Sequence, residues 1–266
     1  MSEAKVLLSA RGIQRRFGGL LAVDVDILEV RQGRITALIG PNGAGKSTLF
    51  NILTGFDRAD AGSWHFDGEE ITGTPAHRLA SRGLVRTFQL AKSLADLTVE
   101  ENMLLAAPGQ RGEGFAGALL RRTTWKQQDK ANRAQAHELL RRFGLEQMVH
   151  AQAGVLSGGQ RKLLELSRAL MAKPRMLLLD EPMAGVNPRL VETLLQHMLD
   201  VRDEGTTLLF VEHDMDVVAG ISDDVVCMAT GRILAAGGPA EVMRSQAVID
   251  AYLGVDESGD RGGTAA

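Results

Sequence analysis

The chain has one cysteine, no long apolar run and almost no excess charge, and each shortage excludes something. Among 266 residues only Cys227 is a cysteine, so an internal disulfide is impossible and we expect a reducing compartment. No apolar run approaches the roughly 20 residues that span a bilayer, so any membrane role must come through a partner. Thirty Lys and Arg against 33 Asp and Glu leave a net charge of −3, which argues against a generally cationic surface for nucleic acid. MSEAKVLLSARGIQRR has neither a basic leader nor a long apolar stretch, so we expect no secretion signal.

Two kinds of strand pattern follow one another along the chain. Near the N-terminus Val23, Val25 and Ile27 alternate with Asp24 and Asp26, which predicts half-buried antiparallel strands. Later, RITALIG, RMLLLDE and TTLLFVEH are short continuous apolar runs, as expected of strands that are covered on both faces of a parallel sheet. The sequence therefore predicts an α/β fold that begins with an antiparallel β subdomain.

Helical spacing fills the segments between these runs. One predicted helix ends at Gly55, and a second begins at Asn187 and Pro188 and stops near Gly205. The apolar face of the first comprises Leu49, Ile52, Leu53 and Phe56. The apolar face of the second comprises Val191, Leu194, Leu195 and Met198.

Between Gln89 and Leu156 the strand pattern is absent, and we predict a mostly helical insertion. Thr98 and Glu101 form a capping box, and a later helix ends at Gly144. That helix would bury Ala136, Leu139, Leu140 and Phe143. PGQRGEGFAG predicts a flexible loop. The basic stretch 121–142 fits a solvated helix face, with a surface for an acidic partner as the alternative.

We divide the chain accordingly. Residues 1–89 comprise the N-terminal β subdomain and the first part of the α/β core, and residues 90–165 form the helical subdomain. Residues 166–254 complete the core and its C-terminal elements. The composition of 255–266, VDESGDRGGTAA, predicts a disordered tail.

GPNGAGKST, residues 40–48, matches G-x-x-x-x-G-K-[ST] between an apolar strand and an amphipathic helix, the context that supports the pattern. Its glycines let successive N–H groups converge on phosphate oxygens. Lys46 would reach the β- and γ-phosphates, and Ser47 would offer its hydroxyl to Mg²⁺. A plain glycine turn before a helix is the weaker interpretation. The predicted nucleotide contacts here are Asn42, Gly43, Ala44, Gly45, Lys46, Ser47 and Thr48.

Two acidic residues end the strand RMLLLDE. We predict that Asp180 holds Mg²⁺ directly or through water, and that Glu181 orients and polarises an attacking water. Two acidic residues at a strand end often do no more than mark where the strand reaches the protein surface. Its occurrence beside a phosphate loop favours the functional interpretation.

Three further side chains are candidates. His213 ends TTLLFVEH, at the edge where parallel sheets bind their ligands. Its side chain would donate a hydrogen bond to the γ-phosphate. Gln89 lies where the core meets the insertion, and its amide would touch Mg²⁺ or the attacking water. Phe17 would stack on a purine, although a core role is nearly as plausible. We also count Val23 among the nucleotide contacts.

LSGGQRKLLELSRAL, residues 156–170, presents a second anion site. A serine and two glycines before a helix expose unpaired N–H groups at the positive end of a dipole. No strand leads into it, and the chain already has a phosphate loop. The chain alone therefore does not show which molecule carries the phosphate that this second site would bind.

These motifs resemble the ATP-binding subunit of ABC transporters over almost the whole chain, and LSGGQ between a phosphate loop and LLLDEP is the specific combination. The resemblance implies the ABC ATPase fold, a P-loop NTPase core carrying the two subdomains. In that family two subunits pair head to tail, and the signature of one closes over ATP held by the other. The residues that would contact a partner's ATP are Ser157, Gly158, Gly159 and Gln160.

Shorter segments resemble the ATPase of branched-chain amino-acid uptake systems, with urea and short-amide importers close behind. They are RFGGLLAV, GLVRTFQ, DEPMAGVNP, VEHDM and VIDAYLG. The resemblance implies ATP and Mg²⁺ as ligands, a second ABC ATPase subunit, two integral-membrane permeases and an extracytoplasmic substrate-binding protein. It also implies a cytoplasmic position at the inner face of the membrane and no nucleic-acid partner. Asn187 stands where many ABC proteins have Asp, and Phe17 replaces the commoner Tyr.

Alternatives remain at this stage. The ATPases of lipopolysaccharide export are similar in size and motif, so the direction of transport rests on the short segments. A soluble ABC ATPase working on nucleic acid, ribosomes or iron–sulfur assembly would carry two sets of motifs or a coiled-coil insertion. A module that binds ATP without hydrolysing it would not need Lys46, Asp180, Glu181 and His213 together.

Overall fold

Two long strands open the fold. The computed structural model describes residues 5–87, 92–107 and 122–259. Strands β1 (Val6–Phe17) and β2 (Leu20–Arg31) pair antiparallel, and β4 (Ala61–Phe66) and β5 (Glu69–Glu70) extend the sheet in the order β2-β1-β4-β5. The predicted antiparallel β subdomain is confirmed.

The buried face of this sheet changes midway along β2. Val25 is buried as predicted, but Ile27, on the same face, is 47% exposed, and Leu28 of the opposite face is buried instead. Ile27 pairs with Arg11, next to which the pairing of β1 with β4 becomes irregular before Gln14. Such irregularities bend a strand and increase its twist. The face of β2 that is buried therefore changes between Val25 and Leu28. The prediction for Ile27 is therefore wrong.

A six-stranded sheet forms the centre of the molecule, in the order β10-β9-β3-β8-β7-β6. Its strands are β3 (Ile35–Ile39), β6 (Leu84–Arg86), β7 (Met176–Asp180), β8 (Thr207–Val211), β9 (Asp224–Ala229) and β10 (Arg232–Gly237). All neighbours pair parallel except β10, which forms a hairpin with β9. The three apolar runs become β3, β7 and β8, which are buried along nearly their whole length. The predicted parallel core is confirmed.

The α-helices lie between and after these strands. They are α1 (Lys46–Leu53), α2 (Ala76–Ser81), α3 (Lys92–Ala95), α4 (Val99–Leu105), α5 (Arg122–Arg142), α6 (Gly158–Met171), α7 (Pro188–Asp203), α8 (Met215–Ile221), α9 (Pro239–Met243) and α10 (Gln246–Gly259). Short 3₁₀ turns occupy Glu146–Met148 and Ala153–Val155.

Most predicted helix faces and ends are observed. Helix α7 begins with Asn187, whose side chain accepts from the backbone N–H of Leu190, and α4 carries the predicted capping box of Thr98 and Glu101. The exception is Phe56, which is 55% exposed because α1 ends three residues earlier and Gly55 turns the chain at φ +73°. Phe56 therefore does not belong to the buried helix face.

The central sheet separates two hydrophobic cores. On one face Ile35, Ala37 and Ile39 of β3 pack with the helices α4 to α8, and on the other Leu38 packs with α1 and the antiparallel sheet. The alternation of β3 side chains across the sheet produces this division. Between the cores, the carboxyl ends of β3, β7 and β8 lead into the phosphate loop, Glu181 and Glu212–His213.

The inserted segment is helical wherever the structure describes it, in α3, α4, α5 and the start of α6. Three of its basic residues form ion pairs within the chain: Arg133 with Glu100 and Asp129, Arg141 with Glu138, and Arg142 with Glu204. This pairing agrees with a solvated helix face. The predicted loop Pro108–Gly117 lies outside the described residues.

At the C-terminus, α10 continues through Gly259. The prediction of disorder is wrong for 255–259, because extending a formed helix by one turn is easy once nucleation is complete and no proline intervenes; residues 260–266 lie outside the described residues. No helix in the described ranges combines the length and the apolar character needed to cross a membrane.

Candidate functional site

The phosphate loop connects β3 to α1 and depends on two glycines. Gly40 has φ +145°, and a Cβ there would lie 2.0 Å from the carbonyl oxygen of Met228. Gly45, the residue before α1, has φ +97°, and its Cβ would lie 2.4 Å from the carbonyl oxygen of Ala22. Only glycine fits both the backbone conformation and the close approach of the neighbouring strands.

Lys46 is held inside this loop. Its Nζ donates to the carbonyl oxygens of Gly40 at 2.7 Å and Pro41 at 2.9 Å, and the residue is only 6% exposed. Burial lowers the pKa of the Lys46 ammonium group, and the carboxylates of Glu181 and Asp180 partly offset that effect. A buried ammonium group with only two carbonyl acceptors is ready to exchange them for phosphate oxygens.

An open cavity of about 500 Å³ lies over the loop. Phe17 and the segment Leu20–Ala22 border it on one side, Glu181 and His213 on another, and Thr230–Gly231 complete it. The phosphate-loop residues that line it are Asn42, Gly43, Ala44, Gly45, Lys46, Ser47 and Thr48. The volume is within the range of nucleotide and cofactor sites.

Glu181 and His213 form a pair at the edge of the cavity. His213 Nε2 lies 2.7 Å from Glu181 Oε1, and both side chains are a little over 40% exposed. Glu181 has φ +46°, a conformation that L residues rarely adopt. Its N–H donates to the carbonyl oxygen of Val211, and its own carbonyl accepts from Ala184 N and Lys162 Nζ. Three contacts thus hold the Glu181 backbone, and the contact with His213 holds its carboxylate.

Glu212 supports the same pair from below the surface. It is 5% exposed, and its two carboxylate oxygens accept from the backbone N–H groups of Met183 and His213. A buried carboxylate with two backbone donors is well satisfied. It ties the segment after Glu181 to the end of β8.

Asp180, the predicted metal ligand, ends β7. Asp180 is not among the described residues that line the nucleotide cavity. Together with Thr87 and Lys162 it lines a small separate cleft. Its Oδ2 accepts from Arg86 Nη2 at 2.6 Å. Sequence reasoning missed Arg86, although a cationic residue at the carboxyl end of a buried strand was a usable signal.

Two predictions concern residues on the β subdomain. Phe17 lines the cavity, is 49% exposed, and has the guanidinium of Arg15 over its ring at 4.7 Å. Val23 is fully buried and is not among the described residues that line the cavity. The neighbouring Ala22 lines it instead, because alternate residues of a strand face opposite sides. The structure thus places Val23 behind the cavity wall, and a nucleotide contact of Val23 stays a prediction.

The signature segment caps its own helix. Ser157 Oγ accepts from Gln160 N, and Gln160 Oε1 accepts from Ser157 N, so the two residues form a capping box at the start of α6. Ser157 and Gly158 are exposed, whereas Gly159 is buried against Leu190 of α7, where a Cβ would lie 1.7 Å from Leu190 Cδ2. The described lining of the nucleotide cavity contains none of residues 156–160.

The structure therefore brings together Lys46, Ser47, Glu181, His213 and Phe17, and leaves the signature apart. Gln89 lies outside the described residues. Lys162 is a second residue that sequence reasoning missed: it projects from the signature helix, one turn after Gly158, to the carbonyl of Glu181.

Comparison with known proteins places the chain among transport ATPases. A family model described as ABC transporter matches residues 24–184, and one described as branched-chain amino acid ATP-binding cassette transporter matches residues 232–258. The chain is 39% identical over 252 residues to the high-affinity branched-chain amino acid transport ATP-binding protein BraF of Pseudomonas aeruginosa, covering 94% of this chain and 99% of the relative. It is 39% identical over 249 residues to LivG of Escherichia coli K12, a protein with the same description, covering 93% and 98%.

Solved structures agree. A crystal structure of a nucleotide-free ATP-binding cassette from an ABC transporter superposes with a TM-score of 0.82 at 36% identity, covering 93% of this chain and 99% of that one. An ATP-binding cassette of an ABC transporter in its ADP conformation gives a TM-score of 0.81 at 36% identity, covering 94% and 100%. Since these matches extend over nearly the whole chain and include the phosphate loop, the acidic pair and the signature, the chain belongs to the ABC transporter family, as one of its ATP-binding, ATP-hydrolysing subunits.

Proposed function

We propose that this chain powers an importer of branched-chain amino acids, and that it binds ATP between two ATPase subunits. The observation that carries the paired arrangement is geometric: the signature, an exposed helix N-terminus, takes no part in the cavity that the phosphate loop forms. The descriptions of the relatives, together with the match of residues 232–258, support the choice of cargo.

In this proposal the phosphate loop binds the triphosphate. Lys46 exchanges its carbonyl partners for the β- and γ-phosphate oxygens, and the backbone N–H groups of Gly43 and Gly45 donate to the same phosphates. Phe17 offers its open ring face to the purine. Ser47, Asp180 and Gln89 would hold Mg²⁺, which supplies positive charge to the β- and γ-phosphates when bound.

Glu181 and His213 perform the chemical step. The Glu181 carboxylate would orient the attacking water and accept its proton as the water oxygen bonds to the γ-phosphorus and the bond from that phosphorus to the β-phosphate oxygen breaks, which releases ADP and phosphate. His213, whose Nε2 contacts Glu181, would transfer this hydrogen bond to the γ-phosphate as the site closes. The fixed backbone of Glu181 keeps this geometry without reorganisation. Ser157, Gly158, Gly159 and Gln160 of the second subunit complete the site, because groups supplied in trans raise phosphoryl-transfer rates by about 10³–10⁵.

The wider assembly follows from this assignment. The chain would sit at the inner face of the membrane on two permease subunits, which receive cargo from an extracytoplasmic binding protein. The ATPase partner would be a second copy or a homologue. The helical subdomain, 90–165, would carry the signature between the core parts 1–89 and 166–254.

Uptake in a deletion strain tests the cargo. Labelled leucine uptake should be lost on deletion and restored by the intact gene, but not by Lys46→Ala, while labelled urea and short amides enter unchanged. The conservative control is Lys173→Ala, an exposed-loop substitution that should restore uptake fully. Loss of urea uptake with normal leucine uptake would contradict the proposed cargo.

Purification of the chain from cell extracts tests the transport role. The chain should co-purify with integral membrane proteins, and co-purification with ribosomes instead would contradict a role in transport.

A further inference from the structure

One arginine joins three parts of the phosphate-binding region. Arg86 ends β6, and its side chain is only 7% exposed. Its Nη2 donates to Asp180 Oδ2 and its Nη1 donates to Asn51 Oδ1, both at 2.6 Å. Asn51 belongs to α1, the helix that starts with Lys46, and Asp180 ends β7. The guanidinium thus connects β6, α1 and the carboxylate beside the phosphate loop.

The surroundings fix both the position and the charge of this group. The guanidinium carbon lies 5.7 Å from the ring centre of Phe50, and β6 pairs with β7 so that Arg86 is opposite Leu178, two residues before Asp180. An arginine stays protonated even when buried, and its planar fork holds two acceptors in fixed directions. One oxygen of Asp180 is therefore aimed at a permanent positive charge.

We propose that the positive charge of Arg86, held against Asp180, weakens the binding of a divalent cation at this site. The inference rests on the proposed function, in which Asp180 helps to hold Mg²⁺. A divalent cation seeks the same carboxylate oxygens that the guanidinium engages, and it is repelled by the guanidinium charge.

Two substitutions separate charge from geometry. Arg86→Gln removes the charge and keeps a polar group, so it should tighten cation binding. Arg86→Lys keeps the charge but loses the fork, so it should leave cation affinity nearly unchanged. Both should lower the melting temperature, because each loses a bond between β6 and α1 or β7.

The chain supplies a matched control in Arg142. Its Nη1 donates to Glu204 at 2.8 Å, and its guanidinium carbon lies 5.7 Å from the ring centre of Phe143. Arg142 thus has the same kinds of partner, a carboxylate and an aromatic ring, but Glu204 follows α7, whereas Asp180 ends β7 and interacts electrostatically with Lys46 of the phosphate loop. Arg142→Gln should change stability without changing cation affinity.

The experiment uses the full chain, Mn²⁺ as the probe and the non-hydrolysable ATP analogue AMP-PNP, with free Mn²⁺ measured by electron paramagnetic resonance. A titration of AMP-PNP alone under the same conditions is subtracted, because the nucleotide itself binds Mn²⁺. We expect the Mn²⁺ dissociation constant of Arg86→Gln to fall about tenfold, and those of Arg86→Lys and Arg142→Gln to stay within about twofold of the unsubstituted chain. Melting temperatures without divalent cation serve as the second readout.

The outcomes are distinct. An unchanged or raised Mn²⁺ dissociation constant for Arg86→Gln overturns the role of Arg86 while leaving the proposed function intact. Failure of the unsubstituted chain to bind Mn²⁺ with AMP-PNP overturns the proposed function and this inference with it. If Arg86→Gln does not fold, Arg86→Lys decides: a change of fivefold or more despite the retained charge overturns the electrostatic role.

Discussion

Glu181 combines two properties that rarely occur in one residue. Its backbone at φ +46° is strained by about 1–3 kcal/mol, and its carboxylate is paired with His213 rather than left free. The strain persists because Val211, Ala184 and Lys162 all bond to its backbone groups. The structure therefore maintains one carboxylate position beside the cavity, as expected for a group that must meet a water at a fixed distance.

Glu181→Gln tests this residue directly. The amide keeps the shape and the contact with His213 but cannot accept a proton, so hydrolysis should fall at least about 100-fold while ATP still binds. Gel filtration with Mg·ATP should then show a trapped dimer. Glu204→Gln, a carboxylate-to-amide change on the surface, is the control and should hydrolyse normally. A purely monomeric Glu181→Gln with undiminished turnover would exclude the assigned base.

Gly40 makes a separate prediction about the phosphate loop. Alanine there would place a Cβ 2.0 Å from the carbonyl oxygen of Met228, so Gly40→Ala should destabilise the fold by more than about 2 kcal/mol and abolish ATP binding. Gly33 also has a positive φ, +70°, but nothing lies within 4 Å of its Cβ position.

Urea unfolding and nucleotide titration measure the two effects. Gly33→Ala should lose about 1 kcal/mol through backbone conformation alone and bind ATP normally. Equal destabilisation of the two variants would mean that the contact with β9 is relaxed in solution.

At this scale the sequence predicted the residues whose role follows from a local pattern. The phosphate loop is contiguous, so its lysine and serine could be assigned to one site. Arg86 and Asp180 are 94 residues apart and meet because β6 lies beside β7, an order that local patterns do not encode. Alternation likewise indicates that Ala22 and Val23 face opposite sides of the strand, but it does not indicate that Ala22 is the one that faces the cavity.

At the scale of elements, the signature helix serves two purposes. Its N-terminal serine caps α6, and its Lys162 reaches the carbonyl of Glu181 in the same chain. The N-terminus that would touch a partner's ATP is thus connected, through α6 and Lys162, to the residue that would hydrolyse the chain's own ATP. A movement of α6 is expected to reach both.

Ser157→Ala separates capping from catalysis. Loss of the cap should reduce the free energy of unfolding by about 1 kcal/mol, and loss of the exposed hydroxyl should suppress hydrolysis without changing the affinity of a single subunit for ATP. Thr98 caps α4 with the same kind of box. Thr98→Ala is therefore a matched control that should lose similar stability and retain hydrolysis.

Thermal unfolding measures the stability of each variant, nucleotide titration measures its affinity for ATP, and phosphate release measures its rate of hydrolysis. Equal loss of hydrolysis in Ser157→Ala and Thr98→Ala would mean that Ser157 acts only as a cap. Loss of ATP binding by the isolated Ser157→Ala subunit would mean that the signature acts on its own nucleotide.

Elements were predictable where burial imposed a periodic pattern. Continuous apolar runs identified β3, β7 and β8 because both faces of those strands are covered, and capping residues located α4, α6 and α7. Ile27 and Phe56 failed because the tertiary structure decides where a strand bends and where a helix stops covering the core. The first residues of the supposed tail failed because α10 continues through them.

For the whole molecule, one thiol offers a test of how nucleotide binding stabilises the fold. Cys227 lies in β9, between β10 and β3 of the six-stranded sheet, is fully buried, and is the one cysteine of the chain. Burial raises the pKa of its thiol to about 11, so at pH 8 it stays protonated as well as inaccessible. Reaction with a thiol reagent therefore requires the sheet to open.

The rate of that reaction should follow the population of the opened chain. A ligand that binds only the folded state reduces this population by a factor of about one plus the ratio of ligand concentration to dissociation constant. Mg·AMP-PNP at 100 times its dissociation constant should therefore slow the labelling of Cys227 about 100-fold. Lys46→Ala, which loses the phosphate contact, should show no such protection. Rapid labelling that is indifferent to nucleotide would mean that β9 opens by itself, and that the two cores on either side of the sheet do not unfold as one unit with the nucleotide site.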